Sequence, residues 1–397
     1  MNGQNAAMPL AFACSTVLIG CAPTGDGTLS IIADSSGVEI VTIQSLPDLD
    51  DSGWSWSIDT VRAIPLDRGS QEAPLVYRPQ AMTRLPDSTI IINDQADFRL
   101  VVLDGQADRA AARFARAGGG SGEIRGFSYL WPGPDRTFWI LDFGNARLSR
   151  FDVDGTLIVE QPMVRRAGGI AHGKARARPP GLFLQRWFPS PNPEVRAFLD
   201  SVVYVDTEGA EYRSLTPLWR QPGPPEQYKT LSPRPVFAPL TRGIIVGTTH
   251  NAEFEFFDDD GVLERLIRIP LRARESSAAD VPAYLSLLQS VPELRVITPP
   301  DIEFYERYPT LHDVLTVDDS IYALSHTAWH HPSVDPTLVF GEMNWRLFDT
   351  RGNYRGHVRL PFGFQPFWSG DRWVLGVTTD SAGTQTLLDL RINPPTT

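Results

Sequence analysis

Three of the seven histidines, His326, His330 and His331, gather around Trp329, and His250 falls in the corresponding loop one repeat earlier. Neutral imidazoles are metal ligands, and imidazoles from adjacent loops can converge on one ion. Pro332 and Pro336 oppose the helix that would put His326 and His330 on one face, and no carboxylate stands at ligand spacing. Polar loop histidines are therefore the plainer reading, and no metal is assigned. A second candidate set is cationic. Gln161 to Pro193 holds no acidic residue but carries Arg165, Arg166, His172, Lys174, Arg176, Arg178 and Arg186, in a chain of formal net charge −11. Such a patch suits a carboxylate, phosphate or sulfated sugar, and a solvated loop explains the same composition.

Other chemistry is excluded by single residues. Gly168 to Lys174 nearly spells a phosphate-binding loop, but Ala175 stands where Ser or Thr must hold magnesium, and Pro179-Pro180 follow where a helix should run. Asp258-Asp259-Asp260 lacks the calcium-loop pattern and fits a turn. No GxSxG elbow, HExxH helix or Cys/His pair occurs, so no catalytic residue and no cofactor is assigned. The candidate ligand-binding residues are Arg165, Arg166, His172, Lys174, Arg176, Arg178, His250, His326, Trp329, His330 and His331.

The elements that must position these residues follow from a repeat. Phe151-Asp152-Val153-Asp154-Gly155 is one of five apolar runs that end in an acidic turn with glycine; the others finish at Gly105, Gly209, Gly261 and Gly352. Glycine supplies the positive φ of a tight strand reversal, so each is a hairpin signal. Steps of 50, 54, 52 and 91 residues between them suggest a propeller. Residues 127 to 159 read as a complete four-stranded antiparallel meander, which is one blade, and Asp142 and Asn145 are expected to hydrogen-bond its inner loop. Tyr77 to Gly118, Phe183 to Leu215, Val236 to Leu271 and Leu311 to Pro361 give further blades. Asp280 to Gln289, with Val281, Tyr284, Leu285 and Leu288 at helical spacing, is a short helix inside the insertion that lengthens the last step. Residues 365 to 392 offer only three strands. Trp56 to Ile64, with period-2 alternation, is expected to supply the fourth and close a six-bladed, all-β ring.

The negative charge argues against nucleic acid and against anionic membrane as partners. Leu10 to Gly20 has the length of a signal-peptide core. The division is then a lipoprotein-type signal peptide over 1–21, a tether with an edge strand at Val38–Ile43 over 22–52, and the propeller over 53–397. Leu18-Ile19-Gly20-Cys21 resembles the lipobox of bacterial lipoproteins, although residues 1–61 lack Lys and Arg. Gly120-Ser121-Gly122-Glu123, Asp142-Phe143-Gly144-Asn145-Ala146-Arg147-Leu148 and Phe151 to Gly155 resemble an NHL-type repeat. With the opening Asp34-Ser35-Ser36-Gly37-Val38, the chain resembles the bacterial six-bladed β-propeller lipoproteins. That resemblance implies lipidation at Cys21 and export to the cell envelope, as an outer-membrane or periplasm-facing lipoprotein. It carries no established activity.

In a four-stranded meander the hairpin between strands two and three shares a face with the connection to the next blade. The long segments 106–126, 163–181, 218–235, 271–310 and 327–343 all belong to that face. Long loops on one face of a rigid scaffold are where binding concentrates. The expected function is a lipid-anchored, non-catalytic module that binds a protein or a small anionic or carbohydrate ligand there. The rivals are a propeller hydrolase or lyase with a metal on the axis, and a structural subunit of an envelope complex.

Overall fold

Short runs of β-branched and aromatic residues, each closed by a turn, fold most of the described residues into strands. The computed structural model describes residues 20–23, 29–66, 75–105, 110–126, 128–162, 170–178, 181–189, 198–205, 212–214, 219–220, 233–271, 275–277, 282, 306–326, 344–361, 363–380 and 384–395. Of the helix expected over 280–289 only Pro282 is among the described residues, and it is helical; the rest lies outside them.

The first strands are β1 (Gly20–Pro23), β2 (Leu29–Ser35), β3 (Val38–Ile43) and β4 (Ser57–Pro65). Six sheets follow. Sheet I holds β5 (Pro79–Arg84), β6 (Ile90–Asp94), β7 (Arg99–Leu103) and β8 (Ala110–Phe114). Sheet II holds β9 (Ser128–Pro132), β10 (Thr137–Asp142), β11 (Arg147–Asp152) and β12 (Leu157–Pro162). Sheet III is β13 (Ile170–Arg178), β14 (Gly181–Pro189), β15 (Phe198–Val205) and β16 (Tyr212–Ser214), with β17 (Trp219–Arg220) also on β15. Sheet IV contains β18 (Pro235–Pro239), β19 (Ile244–Thr248), β20 (Glu253–Phe257) and β21 (Leu263–Arg268). Sheet V contains β22 (Leu311–Thr316), β23 (Ile321–His326), β24 (Asn344–Asp349) and β25 (Tyr354–Arg359). Sheet VI is β26 (Phe364–Gly370), β27 (Trp373–Thr379), β28 (Gln385–Asn393) and then β4, which pairs antiparallel with β28 from Pro65↔Thr386 to Ser57↔Asn393.

The amino-terminal strands depart from the expected tether. β3 is not an edge strand: β2 pairs with it antiparallel and β21 pairs with it parallel, extending sheet IV to seven strands. Its apolar alternation explains the placement, because Val41 and Ile43 bury themselves against sheet IV. The Asp34-Ser35-Ser36-Gly37 stretch is the β2–β3 turn, with the Gly37 amide donating to Asp34 at 3.3 Å.

The repeat that marks the blades is a bulge followed by a turn. Register shifts occur at Arg150/Phe151, Phe256/Phe257 and Leu347/Phe348, each just before the acidic turn. The bulged phenylalanines are all buried, so the extra residue aims an aromatic ring inward. Gly155, Gly261 and Gly352 adopt φ of +94°, +77° and +86° as the hairpin reading requires. Gly105 does not: it is small because a Cβ there would lie 2.5 Å from the Asp87 carbonyl oxygen. Gly209 lies outside the described residues.

Second strands such as Ile90–Asp94 and Thr137–Asp142 are buried on both faces, because each sheet packs between two others. Ile91 and Val102 of sheet I meet Phe138 and Ile140 of sheet II. Trp139 and Leu141 of sheet II meet Leu182 and Leu184 of sheet III, and Phe183 then meets Phe237 and Val246 of sheet IV. Phe254 and Phe256 of sheet IV pack on Tyr322 and Phe348 of sheet V. Trp345 and Leu347 of sheet V pack on Val374 and Leu390 of sheet VI. Finally Leu375 and Leu387 of sheet VI pack on Ile90 and Ile92 of sheet I. The first strands make the same circuit: β5 lies against β9, β9 against β13, β13 against β18, β18 against β22, β22 against β26, and β26 against β5.

Polar groups lock the junction of sheets VI and I. Arg84 Nε stands 3.2 Å from the fully buried Asp389 carboxylate, and its guanidinium lies 3.8 Å over the Trp373 ring. Arg62, on β4, donates to the carbonyl oxygen of Asp104 at 2.8 Å. On sheet V, the segment before β4 is latched by Trp56, whose amide donates to the His357 carbonyl oxygen and whose indole donates to that of Arg355, each at 2.7 Å.

The expected role of Asp142 and Asn145 is also seen. Asp142 accepts from the amides of Arg125, Gly144 and Asn145, while the Asn145 side chain donates to the carbonyl oxygens of Gly118 at 2.9 Å and Glu123 at 3.2 Å. This ties the β10–β11 hairpin to the connection from sheet I. Asn145→Ala is expected to cost about 1–3 kcal/mol and to speed proteolysis near Gly118–Glu123, read by denaturant titration and limited digestion.

Candidate functional site

On the face shared by the connections and the second hairpins, a cavity of about 490 Å³ opens at sheet IV. Three pieces build it: the β19–β20 hairpin with His250 and Ala252, the end of β21 running through Arg268 to Ile269 and Leu271, and the pair Glu275 and Arg307. The last two residues form an antiparallel bridge, and the Ser276 amide donates to the Glu306 carbonyl oxygen at 3.0 Å. The long insertion thus leaves and returns side by side above the hairpin. Leu311 and Thr310 both donate their amides to the Thr249 carbonyl oxygen, which fixes the returning segment.

His250 ties these pieces together. Its Nε2 donates to the Arg307 carbonyl oxygen at 2.9 Å, which leaves Nδ1 to accept the Thr249 hydroxyl at 3.1 Å. Burial holds the imidazole below its usual pKa; the Arg307 carbonyl bond opposes this and the nearby Arg307 charge adds to it. The site therefore works with a neutral histidine at pH 7. His357, which unlike the half-buried His250 is buried, is likewise held below 6.5, chiefly by burial and then by the Arg346 charge. For both residues the unfolded chain takes up a proton first as pH falls, so stability is present above about pH 6.5 and is lost below it until the folded pKa is reached. Melting temperature is expected to fall between pH 7.5 and 5.5, with a shallower slope in His357→Gln; an unchanged slope would show that His357 does not carry the effect.

The cavity carries two cations and two anions. Arg268 and Glu253 form an ion pair at 2.7 Å with both side chains about half-exposed. Glu275 and Arg307 are exposed. Ala252, Ile269 and Leu271 give it an apolar floor. Separate binding requirements, charge and apolar contact, thus meet in one concave site.

Of the residues singled out in the sequence, His250 lines this cavity. Arg165, Arg166, Trp329, His330 and His331 lie outside the described residues. His326 is the last residue of β23, and His172 and Lys174 lie on β13; only their backbones are described. The basic stretch is not a loop from Ile170 onward but a nine-residue strand paired with β14. Arg176 and Arg178 are engaged by carboxylates of other sheets. Arg176 reaches Asp313 on β22 at 2.6 Å, so the first strands of sheets III and V are joined by an ion pair past sheet IV. Arg178 reaches Asp259 at 2.5 Å and lies over Phe183, which puts it beside the Phe257–Gly261 turn on the face opposite the cavity. Alternation with small residues along Lys174-Ala175-Arg176-Ala177-Arg178 is a strand pattern, and that signal was available. Asp258 caps its own turn, accepting the amides of Asp260 and Val262 at 2.8 Å. Among the described residues no cluster of three His, Cys, Asp or Glu is placed to hold a metal ion.

Small antiparallel meanders packed face to face define a propeller-type β fold. The chain matches no protein-family model and no curated protein sequence. Solved structures share its shape. A member of the DUF4221 family from Bacteroides vulgatus superposes with a TM-score of 0.52 at 12% identity, over 86% of this chain and 99% of that one. The PQQ-bound aldose sugar dehydrogenase of Streptomyces coelicolor gives 0.44 at 10% identity, over 88% and 100%. A gluconolactonase from Xanthomonas campestris gives 0.41 at 14% identity, over 84% and 98%. At these identities the likeness concerns fold alone.

Proposed function

We propose that the protein is an exported, lipid-anchored propeller of six blades that binds a ligand without converting it, through the face that carries the His250 cavity. Support for the ring comes from the circuit of six sheet interfaces and from β4, which completes the sheet that the carboxyl-terminal strands leave short. Support for the anchor is the Leu18–Cys21 pattern alone; mass spectrometry of the mature amino terminus is expected to find diacylated Cys21, and an unmodified Cys21 defeats this part. Cys21 lies in β1 opposite Ile31 of β2, so such an anchor would hold the outer flank of sheet IV at the lipid surface.

The observation that carries the binding reading is the cavity itself, with its neutral half-buried histidine, balanced charges and apolar lining. Ligand-detected NMR against a pool of small envelope metabolites provides the test. Signals seen with the wild type are expected to vanish in Ala252→Trp, which fills the cavity, and to persist in Asp260→Trp on the opposite face. Persistence in Ala252→Trp, or loss in Asp260→Trp, would place binding elsewhere.

A further inference from the structure

Glu275 and Arg307 stand directly opposite each other on an antiparallel bridge, yet their charged groups make no ion pair with each other or with any described residue. Side chains so placed start about 5 Å apart. Their neighbours Arg268 and Glu253 do satisfy one another, at 2.7 Å. Among the described residues the cavity lining is therefore neutral as a whole, and it brings a guanidinium and a carboxylate that are not paired with each other side by side with Ala252, Ile269 and Leu271.

Resting on the binding reading above, we infer that the ligand is a free α-amino acid with an apolar side chain. Its carboxylate matches the planar fork of Arg307 and its ammonium matches Glu275, since both groups hang from one carbon and must be recognised close together. Its side chain covers the apolar floor. A dianion such as a phosphate ester meets the two glutamates, and a neutral sugar leaves both charges without a counter-charge. His250 contributes through position: its bond to the Arg307 carbonyl oxygen holds the backbone from which the guanidinium extends. His250 adds no charge at pH 7, which keeps the pocket matched to a zwitterion.

The test is calorimetric titration of the full chain with L-leucine, L-leucinamide, which lacks the carboxylate, and N-acetyl-leucine, which lacks the ammonium. L-leucine is expected to bind with one site per chain, and each blocked compound at least about tenfold more weakly. Arg307→Ala is expected to weaken L-leucine about 10–100-fold, with Arg307→Lys intermediate, and Glu275→Gln to weaken L-leucine while leaving the weaker binding of N-acetyl-leucine, which has no ammonium for Glu275 to meet, unchanged. Glu275 and Arg307 are exposed, so these variants are expected to melt as the wild type does. Equal binding of the blocked compounds overturns the zwitterion inference. So does failure of L-leucine to bind while other metabolites are displaced by Ala252→Trp, an outcome that leaves the binding reading standing. Absence of every ligand from the cavity overturns both.

Discussion

A chain ending at Asp380, without β28, is expected to lose cooperative unfolding altogether. β28 supplies Leu387, Leu388, Leu390 and Ile392 to two separate core clusters, and it is the strand through which β4 joins sheet VI. Burying a side chain of this size contributes roughly 1.5–3 kcal/mol, so four of them amount to most of the 5–15 kcal/mol of a normal domain. If the sheets form a ring, the damage travels. Sheet III, whose Leu182 and Leu184 lie at the far side of the circuit, is expected to lose amide protection along with sheets I and VI. Retention of a sharp transition, or of protected amides in sheets II to V, would show that the sheets stand independently.

Asp389→Ala is expected to destabilise the protein by about 3–5 kcal/mol, because it strands the guanidinium of Arg84 inside the junction of sheets VI and I. Burial raises the Asp389 pKa, with Arg84 and then Arg62 acting against that rise, so the carboxylate is itself in a costly position. The double variant Arg84→Met with Asp389→Leu is therefore expected to recover most of the loss, and it may not be assumed additive with its singles. Chemical denaturation checks both. A loss below about 1 kcal/mol in Asp389→Ala would mean that water reaches Arg84 and that the junction is looser than described.

Much of the architecture was legible in the chain because turn chemistry is local. Asp152 to Gly155 fixes its own hairpin, with Asp154 donating its amide to Asp152 at 3.2 Å, and the same turn recurs at Phe257 and Phe348. The strand Trp56 to Ile64 was readable as the partner of the last three because counting strands exposed a missing one. The β2–β3 hairpin was not, since parallel pairing of β3 with β21 joins residues more than two hundred positions apart and leaves no local trace. The site was legible only in part. His250 was visible as a loop histidine, but Glu275 and Arg307 become neighbours only because a long insertion starts and ends at one place. The basic stretch misled for a related reason: charge in sequence says nothing about carboxylates such as Asp313 and Asp259 that the fold brings to it.

The measurement that bears most directly on the account is recovery of bound ligand. Protein at stoichiometric concentration is incubated with a ligand that Ala252→Trp fails to bind, then unfolded, and the released compound is identified and quantified by mass spectrometry. About one equivalent per chain is expected from the wild type, chemically unchanged after prolonged incubation. Conversion of the ligand to a product, or one tightly held divalent ion per chain whose removal abolishes binding, would contradict it.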